Sequence, residues 1–97
     1  MRFQDKVAII TGGSSGIGKE VAIRFVAEGG SVVIIGRDAA KAEAAAKQID
    51  ATEKRAIAHV GDISLPATGK AAVKTALDRF GRLDVLFNNA PRSPPRT

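Results

Sequence analysis

Apolar residues along this chain switch between two spacings, and the switches divide it into seven elements. Lys6-Val7-Ala8-Ile9-Ile10 is a short, almost wholly apolar run ended by Thr11-Gly12-Gly13, the pattern of a strand buried on both faces of a parallel sheet. From Gly16 the period lengthens: Ile17, Val21 and Phe25 fall four apart with Ala22 and Val26 beside them, which predicts an amphipathic helix stopped by Gly29-Gly30. Ser31-Val32-Val33-Ile34-Ile35 repeats the strand pattern. Gly36-Arg37-Asp38 then leads into a second helix over residues 39–49, with Asp38 as N-cap and Glu43 and Lys47 as an i,i+4 pair. Ala56-Ile57-Ala58-His59-Val60 predicts a third, weaker strand, followed by Gly61-Asp62-Ile63 and by Ser64 as a helix cap with Pro66 in the first turn. The third helix carries Val73, Ala76, Leu77 and Phe80 on one face and ends at Gly81. Leu83-Asp84-Val85-Leu86-Phe87 is the fourth strand, running into Asn88-Asn89-Ala90. Strands alternating with helices in the order βαβαβαβ predict right-handed parallel units and an α/β, doubly wound sheet.

Residues 1–90 carry this pattern and residues 91–97 do not. Pro91-Arg92-Ser93-Pro94-Pro95-Arg96-Thr97 has three prolines and no large apolar group, so an extended or disordered tail is expected. With 44% hydrophobic and 26% charged residues in a chain of 97, the composition is that of one small globular domain. No apolar run approaches the ~20 residues of a membrane span, and the first five residues lack a signal-peptide core, so a soluble cytoplasmic protein is the default expectation. The absence of cysteine excludes disulfides, thiolate ligands and a cysteine nucleophile. The net charge of +5 is spread from Arg2 through Lys19 and Arg37 to Lys41 and beyond, which suits a solvated surface better than a nucleic-acid footprint and leaves cations for a phosphate-rich cofactor.

The candidate chemistry sits in Thr11-Gly12-Gly13-Ser14-Ser15-Gly16-Ile17-Gly18, between the first strand and the first helix. A pyrophosphate must come close to backbone N–H groups at a helix start, and a Cβ at the contact positions would hold it off. Gly12, Gly16 and Gly18 permit that approach, the tight turn and close helix-on-strand packing. The spacing G-x-x-x-G-x-G resembles the TGxxxGxG fingerprint of the short-chain dehydrogenase/reductase family. Gly61-Asp62-Ile63, Phe80-Gly81-Arg82-Leu83-Asp84-Val85-Leu86 and Asn88-Asn89-Ala90 match the same family in register, so the resemblance covers residues 3–90.

That resemblance implies a partial Rossmann-type sheet with its four strands in the order 3-2-1-4. It also implies a nucleotide site formed by Gly12, Ser14, Ser15, Gly16, Ile17 and Gly18 of the loop. Asp62 would accept a hydrogen bond from the adenine amino group with the backbone of Ile63 beside it. Asn88-Asn89-Ala90 corresponds to the family's NNAG, in which the first members brace strand four against the glycine loop and the alanine lies along the cofactor, placing Asn89 and Ala90 in the site. Pro91 stands where the family has glycine, removing an N–H and fixing φ, so the path past the cofactor differs from there on.

The end of strand two bears on cofactor choice. An acidic residue there holds the ribose 2′-hydroxyl of NAD, whereas a 2′-phosphate wants a cation. The position is Gly36 followed by Arg37, whose guanidinium can grip phosphate with two parallel bonds, and Ser14 and Ser15 can donate to the same group. This favours NADP(H) over NAD(H). A register shift of two would put Asp38 in the acidic role and reverse the preference, though an N-cap is the simpler account of that residue. His59, the sole histidine, sits within a strand and is read as structural; no metal site is expected.

The family's hydride transfer is assisted by a Tyr-x-x-x-Lys pair beyond the NNAG motif, and the chain contains no tyrosine, so no catalytic residue is assigned. Two readings remain open. In one the chain is the cofactor-binding portion, a truncated or frameshifted piece, of an NADP-dependent oxidoreductase acting on a carbonyl or alcohol, inactive alone. In the other it is a non-catalytic module that binds NADP(H) or pairs through strand four, residues 83–87, with a second chain, because that strand is an uncovered apolar edge.

Overall fold

The computed structural model describes residues 2–12, 16–52 and 54–88. Seven elements follow one another: β1 (Val7–Thr11), α1 (Gly16–Ala27), β2 (Ser31–Gly36), α2 (Ala39–Ile49), β3 (Ala56–Val60), α3 (Pro66–Phe80) and β4 (Val85–Asn88). All three strand pairings are parallel, and the sheet runs β3-β2-β1-β4, the Rossmann-type order the motifs imply.

Alternation along the strands builds two cores. Ala8, Ile10, Val32 and Ile34 point to one face and pack with Ala22 and Phe25 of α1 and Ala45, Ala46 and Ile49 of α2. Val7, Ile9, Val33 and Ile35 point to the other and meet Ala72 and Ala76 of α3, with Ile63, Phe80 and Leu83 at the margin. β1 and β2 are therefore covered on both sides, which is why their sequences read as unbroken apolar runs. Phe3 stacks on Phe25 with ring centroids 4.5 Å apart and closes the amino-terminal edge of the first core.

Local signals fix the helix ends. Asp38 caps α2, its carboxylate accepting the Lys41 N–H at 3.1 Å. Gly81 ends α3 at φ 81°, and its N–H donates to the Leu77 carbonyl at 2.9 Å.

Four expectations change. The N-cap of α3 is Leu65 rather than Ser64, and no side chain caps that helix. Ser64 is instead held by Asp62, whose carboxylate accepts both its N–H and its hydroxyl; Pro66 at the helix start has no N–H to satisfy, so the missing cap matters less. The inward face of α3 is Thr68, Ala72 and Ala76, while Val73 is exposed and Leu77 is 48% exposed. The fourth strand begins at Val85, two residues later than expected. Asp84 meets Val7 with both its backbone N–H, which donates to the Val7 carbonyl at 2.8 Å, and its carboxylate, which accepts the Val7 N–H at 2.8 Å. A side-chain bond thus replaces the ladder at that point, and Leu83 packs inward as a loop residue. Finally, Glu43 and Lys47 do not form an ion pair; the i,i+4 pair among the described residues is Lys74–Asp78 in α3, at 2.9 Å.

Candidate nucleotide site

Parallel pairing puts every strand's carboxyl end on one edge, and the register aligns them closely. Asn88, Thr11 and Ile35 fall in one row, and Gly36 lies beside Val60. The residues following β1, β2 and β3 therefore converge although about 25 positions of chain separate each from the next. The strand order also reverses between β1 and β4, the place where open α/β sheets form a crevice.

The glycine loop leaves β1 in a conformation that demands glycine. Gly12 has φ 69° and Gly16 has φ 58°, both left-handed. A Cβ on Gly16 would meet no atom of the described residues within 4 Å. Gly12 donates its N–H to the Ile35 carbonyl at 3.0 Å, which makes it a turn residue that extends the β1–β2 ladder and not a free donor. Gly18 is buried in the first turn of α1, and Ile17 is 68% exposed beside the loop instead of joining the helix's inward stripe. The Thr11 hydroxyl donates to the Asn88 side-chain carbonyl at 2.9 Å, tying the end of β4 to the start of the loop. Ser14, Ser15, Asn89 and Ala90 lie outside the described residues.

Arg37 and Asp62 are brought together. Arg37 Nη2 stands 3.1 Å from Asp62 Oδ2, across the gap between the ends of β2 and β3. Gly61 holds that gap at a fixed width by donating its N–H to the Gly36 carbonyl at 2.9 Å. It also packs tightly on α3, since a Cβ there would lie 2.8 Å from Thr68 Cγ2. Asp62 Oδ1 accepts the Ser64 N–H at 2.9 Å and the Ser64 hydroxyl at 2.7 Å, closing a turn on its own backbone. The Ser64 hydroxyl bond, then the Ser64 N–H, and then the Arg37 charge hold the Asp62 carboxyl below the ordinary aspartate range. Asp38 lies one residue beyond Arg37, with its carboxylate engaged at the α2 cap.

A cleft of about 430 Å³ opens on the α3 face of the same edge, lined by Ile9, Thr11, Ile35, Ile63, Gly69, Lys70, Val73, Leu86 and Asn88. The spacing along α3 places Val73 with Ala76 on one apolar face, whereas Val73 lines this cleft beside the uncovered Leu86. The available signal was a second apolar row on α3, at 73 and 77, offset by one from the small residues that face the sheet. His59 is half-buried in β3 opposite Ile35, and no metal-binding cluster occurs among the described residues. No described helix is long and apolar enough to cross a membrane.

Known proteins share this arrangement. A hydroxy(phenyl)methylsuccinyl-CoA dehydrogenase subunit, BbsD, of Thauera aromatica is 43% identical over 90 residues, covering 93% of this chain and 36% of that protein. The apo glucose dehydrogenase of Caenorhabditis elegans superposes with a TM-score of 0.88 at 43% identity, over 96% of this chain and 40% of that one. The L-sorbose reductase of Gluconobacter frateurii, solved with NADPH and L-sorbose, superposes at 0.87 with 33% identity, over 98% of this chain and 36% of that one. The chain spans about a third of the length of the curated relatives it matches. Residues 6–96 match the short chain dehydrogenase family, to which this chain belongs.

Proposed function

We propose that the chain binds NADP(H) along the carboxyl edge of its sheet, as the cofactor grip of an oxidoreductase that moves hydride between NADP(H) and a carbonyl or alcohol. The observation that carries this reading is Arg37 at the end of β2, where Gly36 leaves no acidic side chain to meet a ribose, with Asp62 within 3.1 Å at the end of β3. Arg37 would take the 2′-phosphate and Asp62 the adenine amino group, with Ile63 beside it. Gly12 and Gly16 take the left-handed turns that leave β1 and enter α1, and the first turn of α1, with Ile17 and Gly18, would offer the positive end of a helix to the pyrophosphate. Ser14, Ser15, Asn89 and Ala90 complete the proposed set. When bound, the nicotinamide supplies the hydride chemistry; this chain's own part is holding the adenosine and phosphates.

Titrating the protein with NADPH and with NADH, following cofactor fluorescence, tests the reading. Saturable NADPH binding is expected, and Arg37→Ala should weaken it about 10- to 100-fold, the equivalent of losing a bond to a charged group, while NADH changes by less than about twofold. No NADPH binding at millimolar concentration, or equal losses for both cofactors, would overturn it.

A second reading has β4 pairing with another copy of the chain. It is favoured by a strand bonded on one side only among the described residues, with Val85 and Leu86 exposed. Sedimentation should show concentration-dependent association that Leu86→Lys abolishes; an unchanged profile in that variant would remove this reading.

A further inference from the structure

We propose that Asp62 latches Arg37 across the adenosine end of the site, so that a 2′-phosphate must win the guanidinium from Asp62, and the charge on Asp62 thereby limits the preference for NADP(H) over NAD(H). The proposal rests on the assignment of Arg37 to the 2′-phosphate.

The two partners are unequal. Asp62 is the fixed one: Oδ1 carries both Ser64 donors, the side chain is only 34% exposed, and the Gly61–Gly36 hydrogen bond ties its backbone to β2. Arg37 is the movable one, 78% exposed and joined to Asp62 by a single nitrogen–oxygen contact at 3.1 Å. A long side chain held at one point can swing away while its anchor stays. The pair lies across the gap between the ends of β2 and β3, so the guanidinium is drawn toward β3.

The two cofactors meet this pair differently. NAD(H) brings no group that competes for the guanidinium, and Oδ2 retains a lone pair for the adenine amino group while still accepting from Arg37. NADP(H) brings a dianion that binds through two N–H groups of the guanidinium fork and is repelled by the carboxylate it displaces. Opening an exposed pair of this kind changes an equilibrium by no more than about fivefold. The latch is therefore a modest brake on one cofactor only.

Asp62→Asn removes the charge and keeps an oxygen for both Ser64 donors, so the turn survives. Any acceptor lost to adenine weakens both cofactors alike and cancels in the ratio of NADPH to NADH affinity. That ratio, measured by fluorescence titration in wild type, Asp62→Asn, Arg37→Ala and the double variant, is the readout. Asp62→Asn should raise it about two- to fivefold. In the Arg37→Ala background the same substitution should raise it markedly less, since only the direct repulsion between Asp62 and the phosphate is then relieved, a dependence on Arg37 that a merely structural part for Asp62 would not produce. If Arg37→Ala lowers the ratio and Asp62→Asn fails to raise it, the latch is overturned and the Arg37 assignment stands. If Arg37→Ala does not lower the ratio, both fall together.

Discussion

Strands β2 and β4 carry similar apolar runs, Val32-Val33-Ile34-Ile35 and Val85-Leu86-Phe87, and end in opposite surroundings. Val32, Val33 and Ile34 have no exposed surface, whereas Val85 is 41% and Leu86 66% exposed. The reason lies in the neighbours. β2 has a strand on each side, α1 and α2 over one face and α3 over the other. Among the described residues β4 is bonded only to β1, and the small residues of α3 settle over β1 and β2, leaving Leu86 to line an open cleft. An apolar run thus states what a strand is suited to, and the elements around it decide what becomes of it. For the proposed site the contrast has a direct consequence, because Arg37 hangs from the end of the fully covered β2.

Truncating one apolar residue in each strand gives the largest expected difference. Ile34→Ala leaves a cavity between the sheet and the α1–α2 layer and should lower the free energy of unfolding by about 2–5 kcal/mol. Leu86→Ala removes a side chain already largely in water and should change it by no more than about 0.5 kcal/mol. Urea unfolding followed by circular dichroism measures both. Comparable losses would mean that β4 is covered in solution, and the contrast between the strands would disappear.

A smaller effect is expected where the covered side meets the site. Gly61→Ala pushes a methyl into Thr68, a stiff β-branched side chain buried against the sheet, at a cost of about 1–3 kcal/mol in unfolding free energy. The strain falls on the residue whose N–H sets the width of the gap between β2 and β3, so NADPH affinity should fall as well. Reduced stability with unchanged NADPH binding would show that the gap tolerates movement and that its width is not what aligns Arg37 with Asp62.

Legibility followed the same division. β1, β2 and the start of α2 were readable because their signals are local: unbroken apolar runs, and Asp38 before a stretch of helix formers. The glycine loop was readable because positive φ at Gly12 and Gly16 leaves few other residues. The inward face of α3 was not, since both the 68–72–76 row and the 73–77 row fit a helical period. Choosing between them needs the closeness of helix to sheet, which only small residues permit. Ser64 was claimed by a competitor, Asp62, that offers two bonds where a helix cap offers one. The Arg37–Asp62 pair depends on β3 lying beside β2, so the two residues were separately visible as site candidates while their contact was not.

The smallest effect concerns how firmly β4 belongs to the sheet. Asp84 accepts two bonds from Arg82, at 2.7 and 2.9 Å, and one from the Val7 N–H; the Arg82 bond is the main cause, followed by Val7, that holds its carboxyl below the ordinary value of 3.8. A carboxyl with a lowered native pKa contributes stability that is fully present above the unfolded value and is lost as pH falls through the native one. The contribution should therefore be intact at pH 7 and decline below about pH 4. Asp84→Asn removes the charge at every pH, so its thermal midpoint should lie below that of wild type at neutrality and approach it in acid. Asp50 and Asp62 also titrate low, but both are present in each protein, so the difference between the two curves isolates Asp84. A gap that stays constant from pH 7 to pH 3 would mean the ionised carboxylate does not fasten β4 to β1. No gap at any pH would mean that β4 opens before the rest of the sheet melts, since a strand already detached cannot register the loss of its anchor.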